Sequence, residues 1–158
     1  MNSFRIITAS TIFALGIALL PGAMAQQTTG AGKAPLYDRL GGLRGIAVVV
    51  DDFIDRLVVN KTLNKNPAID AGRKSAPAPY LKFQVAQLVC EATGGPCKYA
   101  GRDMKTSHAH LNISEKEWAV MAAEFKKSLD KFKVPAAEQN ELFDIVGKTK
   151  ADIVLRKG

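Results

Sequence analysis

The sequence predicts an all-α protein, and three observations lead there. Apolar residues recur at helical spacing in four separate stretches, glycine and proline pairs punctuate the chain between them, and no run alternates like a half-buried strand. The 158 residues are 47% hydrophobic and 23% charged, which is the mix of a folded domain and excludes collagen, low-complexity disorder and a multi-domain architecture.

The elements follow in order. Met1 to Arg5 carries one positive charge and no acid, a mostly apolar run continues to Leu20, Pro21-Gly22 breaks it, and Ala23-Met24-Ala25 follows. These are the parts of a signal peptide, residues 1–25, cleaved after Ala25. The apolar run is too short for a comfortable membrane span, so no stable membrane insertion is expected after cleavage, and the destination is the periplasm or the exterior. Residues 26–35 are small and polar and read as a flexible leader, with the folded domain occupying residues 36–158. Pro35 to Leu40 makes a helical turn or two before Gly41-Gly42. From Leu43, the spacing of Ile46, Val49, Val50, Phe53, Ile54, Leu57 and Val58 predicts a helix over 43–58. Residues 60–79 hold three Asn and three Pro and read as loop with at most a short turn.

Pro79 opens the next helix, whose buried stripe is Leu81, Val85, Leu88 and Val89, and Gly94-Gly95-Pro96 ends it. Met104 to Leu111 permits one or two turns. Ser114 and Glu117 form a capping-box pattern before a long helix lined by Trp118, Met121, Phe125, Leu129 and Phe132. Pro135 begins a last helix, reaching 155, with Leu142, Phe143, Ile145, Val146 and Ile153 on its apolar face. No strand is expected.

The balance of 22 Lys plus Arg against 15 Asp plus Glu gives a formal charge of +7. The lysines are spread along helix faces without interleaved aromatics, so the reading is solvated surface and no nucleic-acid partner. Neither GxGxxG nor GxxxxGK[ST] occurs, which excludes the common phosphate cradles. With 2 Cys and 2 His, a metal site of four such ligands would consume them all. Cys90 and Cys97 flank the Gly94-Gly95-Pro96 turn, begin no CxxCH, and in an exported chain most simply form a disulfide. Two free thiols are the alternative.

His108 and His110 would chelate one ion from a strand, but on a helix they point about 200° apart. Met104, His108 and Leu111 share an apolar face, so His108 points inward and His110 to water. Two readings fit an inward imidazole: a hydrogen-bonded core residue, or a ligand presenting one nitrogen to a metal while a carbonyl holds the other. No nucleophile–base pair stands out for covalent catalysis.

Taken together, Leu36-Tyr37-Asp38-Arg39-Leu40-Gly41-Gly42, Val50-Asp51-Asp52-Phe53, Ala92-Thr93-Gly94-Gly95-Pro96, Tyr99 to His108 with its Met104-Lys105-x-x-His108 core, and Lys133-Val134-Pro135 resemble a group 1 truncated haemoglobin. The likeness runs from about Leu36 to Val154. It implies a two-over-two helical sandwich around a haem, pairing 43–58 with 79–92 and 114–132 with 135–155. It also implies haem b as cofactor, His108 as proximal iron ligand, and Phe53, Leu81, Val85, Leu88, Met104 and Trp118 against the porphyrin. Lys105, Arg102 or Lys82 would serve the propionates.

The distal side departs from the pattern. Many family members carry Tyr just after the helix Phe, where this chain has Ile54, leaving Gln84 and Gln87 as candidate donors to a bound ligand. The function implied is reversible binding of O2, with NO and CO, of the oxygen-carrier type. The alternative is an NO-detoxifying dioxygenase or peroxidase-like enzyme drawing on an external electron donor. A haem-free helical metal-binding or interaction module is a third reading, and would use His108 and His110 differently.

Overall fold

The computed structural model describes residues 32–156. The signal-peptide reading and residues 26–31 of the leader lie outside the described residues, and 32–35 have no regular structure. Eight α-helices lie among the described residues: α1 (Leu36–Arg39), α2 (Gly42–Val59), α3 (Pro67–Ser75), α4 (Ala78–Ala92), α5 (Met104–His108), α6 (Glu115–Lys131), α7 (Ala136–Lys148) and α8 (Lys150–Ile153). Two very short strands, β1 (Ile113–Ser114) and β2 (Val154–Arg156), pair in parallel.

Sequence chemistry sets the boundaries. Gly41 and Gly42 have φ of 82° and 68°, left-handed values that glycine adopts without steric cost, so α1 turns into α2 through only Leu40 and Gly41. At Ser114 the side chain accepts from the Glu117 amide while the Glu117 carboxylate accepts from the Ser114 amide, a complete capping box that starts α6.

The core has two parts. Ile46, Val50 and Ile54 lie at four-residue steps on α2 and are buried against Ala86 and Cys90 of α4. Leu36, Phe125, Leu129 and Leu142 form the second part, joining α1, α6 and α7. Burying each large aliphatic or aromatic side chain favours the fold by about 1.5–3 kcal/mol relative to exposure. An aromatic row ties the parts together: Phe53 and Phe125 have ring centroids 5.1 Å apart, and Phe125 and Phe143 are 5.3 Å apart. Arg39 pairs with Glu138 and Glu141, fastening α1 to α7.

Three expectations need correction. The segment 60–79 is mostly helical, a 3-10 turn over Leu63–Lys65 and then α3. Asn66 and Pro67 start that helix: the Asn66 side chain accepts from the Ala68 amide, and Pro67 sits in the first turn, where its missing N–H costs nothing. α3 has no buried residue, so it shows no clean apolar stripe to read. Strands also exist, although β1 has two residues and β2 three, below the length at which alternation is detectable. The last helix stops at Lys148, and after the turn of α8 the chain extends as β2, placing Arg156 Nη2 3.3 Å from Glu117 Oε2.

Candidate functional site

α5 is only five residues long, and its start is fixed by Asp103, whose carboxylate accepts from the Thr106 amide at 2.8 Å and the Thr106 hydroxyl at 2.7 Å. These bonds hold the Asp103 carboxyl below its ordinary pKa. At the other end, His108 Nδ1 lies 2.8 Å from the Met104 carbonyl oxygen. A carbonyl only accepts, so the N–H of the ring is on Nδ1 and the lone pair is on Nε2. Nε2 has no hydrogen-bond partner among the described residues. Burial pushes the His108 pKa below the usual histidine value, outweighing the stabilising effect of the Met104 carbonyl on the charged form. The result is a neutral, half-buried imidazole with its orientation set by one carbonyl and its second nitrogen available to a metal.

Beside α5 lies a cavity of about 590 Å³, lined by Ser75, Ala76 and Pro77 after α3, Tyr80 and Gln84 of α4, Ala100, Gly101 and Arg102, and His110. Its size is within the range of small-molecule and cofactor sites. Gln84 and Arg102 are the two sequence-derived candidates in this wall. Tyr80, Ser75 and Gly101 were not foreseen, because they come from three separate segments with no shared period.

The other candidates are placed as follows. Ile54 is 4% exposed and belongs to the α2–α4 core, which Phe53, Leu81 and Val85 flank. Gln87 is half-buried and outside the cavity wall, and Lys105 is exposed on α5. Lys82 is already engaged, with Nζ 2.8 Å from Asp51 and 2.7 Å from Asp55, and so braces α4 against α2. Cys90 and Cys97 are joined in a disulfide.

A tetrapyrrole asks for a neutral imidazole, an apolar slot and a polar rim for its carboxylate edge, and the residues present fit. The imidazole is His108, which does not itself line the cavity, where His110 stands instead. Leu88, Met104, Trp118 and Met121 are half-buried without joining either core cluster. Tyr80, Arg102 and His110 supply the polar rim. Among the described residues, no group of three or more His, Cys, Asp or Glu side chains is placed to hold a bare metal ion.

Comparison with known proteins agrees with this geometry. The bacterial-like globin family matches residues 35–154. A group 1 truncated hemoglobin, GlbN, from Mycolicibacterium paratuberculosis is 26% identical over 123 residues, covering 78% of this chain and 86% of that protein. Its namesake from a Nostoc species is 27% identical over 119 residues, covering 75% and 96%. Among solved structures, the truncated hemoglobin of Tetrahymena pyriformis in its Fe(III) form superposes with a TM-score of 0.67 at 19% identity, covering 77% of this chain and 99% of that one. The 2/2 hemoglobin of a Synechococcus species, in the cyanomet state with covalently attached heme, gives the same TM-score at 20% identity, covering 78% and 100%. The chain belongs to the bacterial-like globin family and takes the two-over-two truncated haemoglobin fold, an architecture consistent with gas binding at a haem.

Proposed function

We propose that this globin is an exported haem b protein that binds O2, and also NO and CO, reversibly at one iron. The single observation that carries the reading is the His108 ring, half-buried, neutral, and committed through Nδ1–H to the Met104 carbonyl at 2.8 Å. That arrangement leaves Nε2 as the proximal ligand and raises its basicity. Haem b, when bound, supplies a ferrous centre for diatomic gases.

The chain's own side chains do the rest. Phe53, Leu81, Val85, Leu88, Met104 and Trp118 would pack against the macrocycle and keep water away from it. Arg102 and Lys105 meet the propionate charges. On the distal side Ile54 donates nothing, and Gln84, the α4 amide in the cavity wall, is the donor to the bound gas in preference to Gln87. Export to the periplasm is supported by the composition of residues 1–25.

The test is gas binding by the ferrous protein. Reversible O2 uptake over repeated cycles, with slow ferric conversion on adding NO, is the expected result. Stoichiometric nitrate within the mixing time, with an external donor restoring the ferrous state, would make the protein an NO-consuming enzyme instead.

A further inference from the structure

The Cys90–Cys97 disulfide closes the turn that precedes the cavity wall at Ala100–Arg102, and the gas-binding reading does not use it. Cys90 is fully buried at 0% exposure, in the core with Ile46, Val50, Ile54 and Ala86, whereas Cys97 is half-buried on the far side of the Gly94-Gly95-Pro96 turn. The turn is packed onto the sulfur: a Cβ at Gly95 would sit 2.7 Å from Cys90 Sγ and 2.4 Å from Tyr37 Cδ2.

Up to this point the chain is well fastened. Thr93 accepts from the Tyr37 amide at 2.9 Å, and the Gly95 amide donates to the Cys90 carbonyl at 2.8 Å. Beyond Cys97 the fastening thins out. Residues 98–102 have no helix or strand. Their hydrogen bonds and ion pairs back to α4 are the exposed Tyr99 amide to Glu91 at 3.1 Å and Lys98 to Glu91 at 4.0 Å. The Tyr99 hydroxyl bonds within the segment, to the Arg102 carbonyl at 2.8 Å. Yet Ala100, Gly101 and Arg102 form one wall of the cavity, and Asp103, next in sequence, caps the helix that carries His108.

We infer that the disulfide is a latch on the segment that leads from α4 into the helix carrying His108. Oxidation of Cys90 and Cys97 orders residues 98–103, which include the cavity residues Ala100–Arg102 and the Asp103 cap of α5, and so makes tight haem retention conditional on an oxidising compartment. The closing reaction is thiol–disulfide exchange with a disulfide-donating oxidoreductase. The more accessible Cys97 thiolate attacks a donor sulfur and releases the first donor thiolate. The Cys90 thiol then gives up its proton, its sulfur attacks Cys97 in the mixed disulfide, and the second donor thiolate leaves. The two protein thiols are oxidised, and the donor disulfide is reduced to a dithiol.

Opening runs the exchange in reverse: a reductant thiolate attacks Cys97, and Cys90 leaves as the thiolate.

The latch rests on the haem reading for its consequence but not for its structure, and the experiment separates the two. The purified chain is studied oxidised, then after reduction by dithiothreitol with both thiols counted, and as Cys97→Ser. Backbone amide exchange is followed by mass spectrometry without haem, and haem loss to excess apomyoglobin is followed with it. The expected result is faster exchange confined to residues 97–104 and haem loss accelerated by at least about tenfold in both reduced forms, with α2 and α6 protected as before.

Equal haem loss from oxidised and reduced protein overturns the latch. So does exchange that rises throughout α2 and α6, because the bond would then be a staple for the whole fold. If the chain takes up no haem at all, the gas-binding proposal fails, and unchanged exchange at 97–104 overturns the latch separately. If Cys97→Ser does not fold, the chemically reduced wild type decides.

Discussion

Asp52 is the carboxylate on which α2 and α6 meet, and replacing it with Ala is the perturbation whose cost the structure defines best. Its Oδ2 accepts from Arg56 Nε at 2.6 Å and from the Ser128 hydroxyl at 2.8 Å, and Oδ1 accepts from Lys131. Exposure decides which of these matters. Lys131 is 53% exposed, so its pairing is screened and contributes little, and Arg56 at 31% contributes about 0.2–1 kcal/mol. Ser128 is 0% exposed, and stranding its hydroxyl without an acceptor costs about 1–3 kcal/mol. The expected loss for Asp52→Ala is about 2–3 kcal/mol, a large share of the 5–15 kcal/mol typical of a domain, roughly.

The assay is urea unfolding followed by circular dichroism near neutral pH, for Asp52→Ala, Ser128→Ala and the double variant. Removing the hydroxyl as well should recover part of the loss, so the two effects should fall short of adding. A loss below about 0.5 kcal/mol, or strict additivity, would show an ordinary surface ion pair and refute the reasoning.

Other outcomes follow from the same structure. Burial pushes the Asp52 carboxyl up, but hydrogen bonds from Lys131, Arg56 and Ser128 outweigh it and hold it well below the usual carboxylate range. The stability it confers is thus complete above the unfolded value of about 3.9 and is lost as pH falls from there towards the folded value; acid titration of Asp52→Ala should show a shallower decline than wild type. Gly95→Ala puts a methyl 2.7 Å from the Cys90 carbonyl and 2.4 Å from Tyr37, and should lower the thermal midpoint and the yield of the oxidised form, measured by melting and thiol counting. Ser114→Ala removes one half of the capping box and should cost about 1 kcal/mol in chemical unfolding. Gln84→Leu should speed O2 release several-fold by stopped flow, the size expected from losing one hydrogen bond of about 1 kcal/mol, and an unchanged rate would remove Gln84 from the distal site.

Sequence alone made much of this fold legible, for identifiable reasons. Ile46, Val50 and Ile54, and again Phe125 and Leu129, are buried at helical spacing, so the long helices carry their own pattern. Spacing to Met104 and Leu111 put His108 on the inner side of its helix, and in the structure all three are half-buried. What stayed hidden has no such period. α3 buries nothing, and β1 and β2 are too short to show alternation and pair only through the tertiary fold. The cavity wall is assembled from segments near residues 75–84, 100–102 and 110, a juxtaposition only the tertiary fold creates. Lys82 looked available for a propionate because sequence does not show that Asp51 and Asp55 of α2 stand opposite it.

The central claim is that His108 holds a haem iron, and haemin titration of the purified chain beside His108→Ala tests it most directly. The account predicts a saturable one-to-one Soret shift for wild type, a ferrous form whose spectrum changes with CO, and loss of that CO-sensitive form in the variant. No saturable binding, or a CO-sensitive form indifferent to His108, would contradict it.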